Sequence, residues 1–355
     1  MSKRTSLQDI ARVAGVSEST VSRVATGSAR VTPQVAKLVR DAALRLGVDL
    51  AGRSKAKVIG FLLGNRPLLH PFHSRVLMAV DACCAAQQYN VMFLSLRYEA
   101  TTPWRDLQVP EILRRRELIA GCILAGANSP NLLEFLAHQG MPFATFGNNV
   151  GGEWRHDKYD VVWLDDIPGA YQMTRFLRSL GHQDIWFVGN LRLPWFRRRF
   201  EGYRKAMQDT GLEPHLGNID SDNYPEIGYL ATRSILGRGE RVSAIFAGSD
   251  EATRGVYKAL ADCGRSVPRD LSVAGFNDLE ADVMHPPLTT VRTFPDQIGR
   301  QLAQMLLSRI VRPDMPLQQG TVPTEIVKRE SHQLLSLPVE LEDETLKAGA
   351  GKGSK

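Results

Sequence analysis

Apolar residues recur with a helical period near the N-terminus and gather into short unbroken runs further on. Leu7, Ile10, Ala11 and Ala14 stand at i, i+3, i+4 and i+7, one face of a helix. Ser6 precedes them as an N-cap, Asp9 sits at the end where a carboxylate is favoured, and Gly15 closes the segment as a left-handed C-cap. Ser17 offers a second cap to a helix from Glu18 to about Ala25, with Val21 and Val24 inward and Gly27 ending it. Thr32-Pro33 is a cap followed by proline at the first helical position. Val35, Leu38, Val39, Ala42 and Leu46 then form a third stripe, stopped by Gly47. Two helices joined by a tight glycine turn, with a third to complete a small core, predict a helix-turn-helix unit.

From residue 58 the pattern changes to strand-length apolar runs separated by helix-length segments. Runs at 58–63, 91–96, 119–125, 143–146, 161–164, 185–188, 244–247 and 271–275 predict buried strands. Segments at 74–88 and 130–139, and one ending at Leu180, predict helices between them, and a second half begins at Val161. Such alternation predicts an α/β fold: a two-lobed, doubly wound parallel-sheet body preceded by a small all-α helix-turn-helix domain. Ligands in such sheets sit beyond the carboxyl ends of the strands, and two lobes make a cleft that closes by hinging. The boundaries expected are a head at 1–47, a shortened linker at 48–57 and a body at 58–337. Lobe 1 covers about 58–162 plus 295–317, and lobe 2 about 163–294 plus 318–337, leaving a disordered tail at 338–355. Gly349-Ala350-Gly351-Lys352-Gly353-Ser354 in that tail resembles a phosphate loop only superficially, with the wrong spacing and no strand before it.

Charge singles out the head. The 355 residues are 43% hydrophobic and 23% charged, which excludes wholesale disorder, and the net charge is +6. Residues 1–57 hold 11 basic and 4 acidic side chains, a balance of +7, against 33 and 34 in the remainder. A basic head on a neutral body is the footprint of a polyanion-binding module, and the helical pattern decides for that over a merely solvated face. No run approaches the ~18 apolar residues of a membrane span. Charges occupy the N-terminus where a signal peptide needs its apolar core, so the expected place is the cytosol, with no membrane partner. Cys83, Cys84, Cys122 and Cys263 form no CxxC pair and no zinc spacing, and read as small core residues of a reduced compartment. No GxSxG, HExxH or GxxxxGK[ST] motif is present, so neither catalytic residues, nor a metal, nor a cofactor is expected.

The run Ser6-Leu7-Gln8-Asp9-Ile10-Ala11-Arg12-Val13-Ala14-Gly15-Val16-Ser17, followed by Ser19-Thr20-Val21-Ser22-Arg23-Val24, resembles the headpiece of the LacI/GalR family of bacterial repressors. The likeness continues through Gly27-Ser28, Val31-Thr32-Pro33 and Ala43-Leu44-Arg45-Leu46-Gly47. It implies a second helix lying in the major groove, with Glu18 and Ser19 at base edges, Ser22 and Arg23 nearby, and Thr20 packing or facing phosphate. Ser6, Ser17, Thr26 and Arg30 complete the DNA-binding positions expected in the head. Serine contacts any base, glutamate accepts from a cytosine amine, and arginine grips guanine or phosphate. For Glu18 a role in the helix dipole stands almost level with base contact. The linker departs from the family pattern, whose hinge helix wedges a leucine into the minor groove. The Pro-Asn start is missing, the segment is several residues short, and Gly52 disfavours a helix. Leu50 is the candidate wedge, and Arg53 and Lys55 suit backbone contacts. A flexible basic tether and a functional hinge both stay open.

The resemblance runs through the body to about residue 335, by way of Leu180-Gly181-His182, Arg199-Phe200-Glu201-Gly202-Tyr203, Ser249-Asp250, Val273-Ala274-Gly275-Phe276-Asn277-Asp278 and Pro287-Leu288-Thr289-Thr290-Val291. It implies a sensor like the periplasmic sugar-binding proteins, with a small-molecule effector, a sugar or sugar derivative, in the cleft. Arg199 would hydrogen-bond the effector, with Ser249 and Asp250 at the next strand end. Phe72 and His73 would add aromatic contacts, and Trp195, Phe196, Asn223 and Tyr224 would lie in cleft-edge loops. Asn277 stands where relatives usually carry aspartate, which leaves a phosphorylated, acidic or nitrogenous effector open. The simpler readings are a solvated start of a basic helix for Arg199, a surface position for His73, and core positions for Trp163 and Trp186. The function expected is a DNA-binding transcription regulator acting on the bacterial nucleoid as a repressor. It would be a homodimer, with tetramer formation open, on an inverted-repeat operator. A solute-binding protein, or a regulator whose cleft has lost sensing, are the alternatives.

Overall fold

The computed structural model describes residues 6–25, 31–46, 48, 57–66, 70–115 and 118–335. The head consists of α1 (Leu7–Ala14), α2 (Glu18–Ala25) and α3 (Pro33–Arg45). Ser6 and Asp9 cap α1 reciprocally: the Asp9 N–H donates to Ser6 Oγ at 3.2 Å and the Ser6 N–H to Asp9 Oδ2 at 2.9 Å. Gly15 turns the chain at φ 66°, a conformation that other residues adopt only with strain. Ile10, Ala11, Val21, Val39, Ala42 and Ala43 form the buried core of the head, with Leu7, Val16, Val24 and Leu46 against it. Leu38, expected inside, is 56% exposed. It lies one helical step, about 100°, round from Val39, and the inward face of α3 follows Val39, Ala42 and Ala43.

The body contains two six-stranded sheets. The first is built from β1 (Val58–Gly64), β2 (Asn90–Leu96), β3 (Gly121–Gly126), β4 (Phe143–Phe146), β5 (Asp160–Leu164) and β11 (Gln319–Val322), in the order β11-β5-β4-β3-β1-β2, with neighbours parallel. The second holds β6 (Ile185–Gly189), β7 (His215–Asn218), β8 (Ala244–Ala247), β9 (Ser272–Asn277), β10 (Thr289–Arg292) and β12 (Glu325–Val327), in the order β12-β10-β9-β8-β6-β7. Every residue of β3 and of β9 is buried, as parallel strands covered on both faces require. The helices are α4 (Pro71–Ala86), α5 (Pro130–His138), α6 (Asp166–Ser179), α7 (Pro194–Gln208), α8 (Tyr224–Gly237), α9 (Asp250–Asp262) and α10 (Pro295–Val311). The described residues fall into two compact units, one within Met1–Asp166, Leu191–Arg198 and Arg292–Glu325, the other within Ile167–Asn190, Arg199–Val291 and Ile326–Lys355.

The lobe boundaries expected after residues 162 and 317 are therefore corrected. β5 runs to Leu164 in the first sheet, and β11, expected in the second lobe, pairs with β5 in register Gln319 to Val161. A buried ion pair explains the placement. Arg309 of α10 grips Asp160 of β5 with two hydrogen bonds of 2.9 Å, and the Gln318 N–H donates to the same carboxylate at 2.8 Å. The second half thus begins with α6, not at Val161.

Three local expectations also change. α4 starts at Pro71 instead of Ser74, because His70 Nδ1 accepts the Phe72 N–H at 3.2 Å and Pro71 suits the first helical position. Trp195, Phe196 and Tyr224 lie in the first turns of α7 and α8, not in loops. Cys84 and Cys122 are buried, but Cys263 is exposed at the C-terminal end of α9, and all four cysteines are free. Trp186 is buried on β6, whereas Trp163 is half-buried beneath the Arg198 guanidinium at 5.3 Å. No helix among the described residues is long and apolar enough to cross a membrane.

Candidate nucleic-acid interface and effector-binding groups

The turn between α1 and α2 aims the second helix. Ser17 caps α2: its Oγ accepts the Thr20 N–H at 3.2 Å and lies 2.9 Å from Ser19 Oγ and 2.8 Å from Thr20 Oγ1. Val21 is fully buried, which turns Glu18, Ser19, Ser22 and Arg23 outward as one exposed face. Thr20 is half-buried, in keeping with packing. Ser6 remains exposed at the start of α1, although its hydroxyl and N–H are engaged with Asp9. The face therefore offers a carboxylate, two hydroxyls and a guanidinium, the groups that read major-groove edges. Thr26, Arg30, Leu50, Arg53 and Lys55 lie outside the described residues, as do most of the linker and the whole of 338–355.

In the first unit of the body, Phe72 and His73 occupy the first turn of α4. His73 is 5% exposed, not a surface residue, and its Nε2 is 2.9 Å from the side-chain Nδ2 of Asn149. The imidazole stands edge-on to Phe72 at 5.4 Å and to Trp195 at 6.4 Å. Arg66, 4% exposed, places its guanidinium 5.6 Å from the Trp195 ring. Burial, reinforced by His70 and Arg66, lowers the His73 pKa to about 3, so the ring is neutral. Phe72 stacks on Phe146 at 5.8 Å. Phe72 and His73, adjacent in α4, are thus brought together with Trp195 of α7. Arg66 and Asn149 join them and were missed, although they stand two and three residues past the ends of β1 and β4, at the carboxyl ends where ligands gather.

In the second unit, Arg199 is not a solvated helix start, being 4% exposed. Its Nη1 donates to the Gly248 carbonyl at 2.6 Å and its Nη2 to Asn277 Oδ1 at 3.0 Å, with the guanidinium 4.0 Å from the Phe276 ring. Asn277 ends β9 at φ 122°, and Asp278 and Glu280 follow at 57° and 67°. Such clustered strain marks functional loops. Arg329 pairs with Asp278 at 2.7 Å and steadies the segment.

Ser249 and Asp250, at the start of α9, both hold the local fold. Ser249 Oγ accepts the Ala252 N–H at 3.1 Å as the cap of α9. Asp250 is wholly buried, its Oδ1 accepting from the Thr290 hydroxyl at 2.6 Å and its Oδ2 from the Leu279 N–H at 2.8 Å. Burial pushes its pKa up to about 7. Asn223 caps α8 through the Glu226 N–H at 3.3 Å, and Tyr224 is buried at the start of that helix. Asn190, missed although it directly follows β6, donates to the Ser221 carbonyl at 3.0 Å and is buried. No group of three or more metal-binding side chains occurs among the described residues.

Two family models match the chain. One describes bacterial regulatory proteins of the lacI family and matches residues 6–47; the other describes a periplasmic binding protein-like domain and matches residues 174–332. The ribose operon repressor of Haemophilus influenzae is 28% identical over 341 residues, covering 92% of this chain and 98% of that protein. The structure of the transcriptional regulator CelR in complex with cellobiose superposes with a TM-score of 0.67 at 25% identity, over 92% of this chain and all of that one. A LacI family transcriptional regulator from Enterococcus faecium with bound ribose gives the same TM-score and identity over 79% of this chain and all of that one.

Proposed function

We propose that the chain is a bacterial regulator of the LacI type, which represses transcription by binding an operator under the control of a small-molecule effector. The observation that carries this is α2. Its buried Val21 leaves Glu18, Ser19, Ser22 and Arg23 on one outer face, within a segment of charge +7. The charge supplies non-specific affinity through phosphates, and the outer face supplies base readout. Ser6, Ser17 and Thr20 act at the same surface, with Thr26, Arg30, Leu50, Arg53 and Lys55 extending the contact. The head spans 1–47 and the tether 48–57.

The effector is a sugar or sugar derivative. Phe72, His73, Trp195, Arg66 and Asn149 serve it in the first unit, and Arg199, Asn277, Asn223 and Tyr224 in the second. Aromatic rings with a few buried polar groups suit a sugar-sized ligand. The relative that represses a ribose operon and the structures holding ribose and cellobiose support this class. The protein acts in the cytoplasm as a homodimer reading an inverted repeat, since a single short head offers too few contacts for tight specific binding. The test is selection of bound fragments from a genomic DNA pool by the full-length protein, followed by fluorescence anisotropy on the selected site with and without ribose and cellobiose. A consensus with two-fold symmetry is expected. Absence of any selected sequence overturns the reading.

A further inference from the structure

The two ring nitrogens of His73 face unlike surroundings. Nε2 meets the Asn149 side-chain NH2 at 2.9 Å. An amide NH2 only donates, so Nε2 must hold the lone pair, and a neutral imidazole then carries its proton on Nδ1. Nδ1 has no hydrogen-bond partner among the described residues and is buried, in a residue 5% exposed. An N–H left unmade in the interior costs more than an ordinary hydrogen bond gains, and a group in that state in the first turn of the helix that follows β1, near the carboxyl end of a parallel strand, points to a ligand. The neighbours add to the demand. Arg66 brings only donors, and Trp195 and Phe72 bring ring faces and edges. Burial, reinforced by His70 and Arg66, keeps the ring neutral through the physiological range.

On the reading that this body senses an effector, we propose that the first-unit site takes its ligand by an oxygen lone pair set on His73 Nδ1–H, and that Asn149 is the positioning residue that fixes this donor. The ligand class is therefore oxygen-rich: a sugar hydroxyl or ring oxygen, a sugar-acid carboxylate, or a sugar phosphate. A ligand presenting only an N–H at that point is refused, because two donors would face each other. The Arg66 guanidinium beside the same rings reinforces the preference for an acceptor and extends it to anionic oxygen.

The test uses the full-length, nitrogen-15-labelled protein. Long-range proton–nitrogen spectra report the tautomer of each histidine, and His73 is identified by the signals lost in His73→Asn. The Nδ1–H tautomer is expected throughout about pH 6 to 8. Asn149→Ala removes the donor to Nε2 and should populate the second tautomer. Calorimetric titration with ribose, gluconate and ribose phosphate then reads the ligand. At least one is expected to bind. His73→Leu should weaken that binding about tenfold, and His73→Asn, whose amide N–H replaces the ring N–H, should restore most of it. Tightest binding of ribose assigns a hydroxyl or ring oxygen, of gluconate a carboxylate, and of ribose phosphate a phosphoryl oxygen. An Nε2–H or doubly protonated His73, binding indifferent to His73→Leu, or binding of none of the three overturns the proposal. Failure of the regulator reading registers separately, as wild-type protein that selects no DNA whatever the tautomer.

Discussion

The Arg199 guanidinium meets the Asn277 amide at 3.0 Å across 78 residues of chain, joining α7 to the strained end of β9. The second arm of the same fork takes the Gly248 carbonyl at the end of β8, so one side chain ties a helix to two strand ends. Both acceptors are neutral, and the Phe276 ring lies against the guanidinium. The fork is held in place before a ligand arrives, which lowers the ordering cost of binding.

Arg199→Ala should therefore destabilise the protein by about 1–3 kcal/mol, because it strands two buried acceptors, and it should abolish the effector response. Arg199→Lys keeps the charge but lacks the planar fork, so it should recover part of the stability and little of the response. Urea unfolding and ligand-induced melting shifts measure the two effects. Equal stability of wild type and Arg199→Ala would remove the bridge from the account.

DNA affinity should fall steeply with salt, with a log–log slope of about −0.9 for each phosphate neutralised. Deleting residues 1–57 should eliminate it, since they hold the +7 charge against a nearly neutral remainder. Anisotropy titrations on the selected site at several salt concentrations check both points, and a flat salt response would contradict them.

Ser19→Ala and Arg23→Ala should each cost ~1–3 kcal/mol on the preferred site and relax the selected consensus. Ser17→Ala acts differently. It removes the α2 cap whose Oγ holds the Thr20 N–H, so it should destabilise the head by about 1 kcal/mol and weaken binding to all sequences alike. Repeating the fragment selection with the three variants separates readout from support.

The local parts of the fold were legible because their causes are local. Ser6, Gly15, Ser17 and Thr32 announce the head helices within a few residues of where they act, and the buried strands read directly as apolar runs. The lobe assignment of β5 and β11 was not legible, since it rests on Asp160 meeting Arg309, 149 residues away. The roles of Asp250 and Asn277 were hidden for the same reason. Both are buried polar residues near strand ends, yet Thr290 and Leu279 claim the first while Arg199 takes the second. Arg66 and Asn149 follow strands in segments without a family landmark, so only the strand-end rule pointed to them.

Two buried histidines should shape the acid stability. Burial lowers His73 to about 3 and His182 to about 4. In the unfolded chain both titrate near 6.5, so below that pH the unfolded state binds more protons and stability declines towards pH 3–4. Asp250, raised to about 7 from 3.8, has the opposite sign and loses stability as pH rises through that window. His73→Asn removes one histidine from the balance. Its stability relative to wild type should improve by about 1.5 kcal/mol between pH 6.5 and pH 5, the slope approaching about 1.4 kcal/mol per pH unit at the acid end. Urea unfolding at the two pH values measures this double difference, and a constant gap would show that His73 titrates alike in the native and unfolded states.

Helices α8 and α9 approach so closely that their crossing admits no side chain. A Cβ on Gly228 would overlap the Ala252 carbonyl oxygen, and one on Gly255 would overlap the Pro225 carbonyl oxygen. Backbone atoms cannot rotate aside as a long side chain can, so either alanine must push the helices apart. Gly228→Ala and Gly255→Ala should each cost at least the 1–3 kcal/mol, roughly, of an overpacked core. Gly237, also in α8, has open space around its Cβ position, so Gly237→Ala should gain up to about 1 kcal/mol from helix propensity. The crossing also bears on the site, because α8 begins at Tyr224 and α9 at Asp250, whose carboxylate holds Thr290 and Leu279. Separating the helices should loosen that anchor and shrink the ligand-induced melting shift, an effect Gly237→Ala should lack. Comparable urea midpoints for Gly228→Ala and Gly237→Ala would mean that the helices are not in backbone contact.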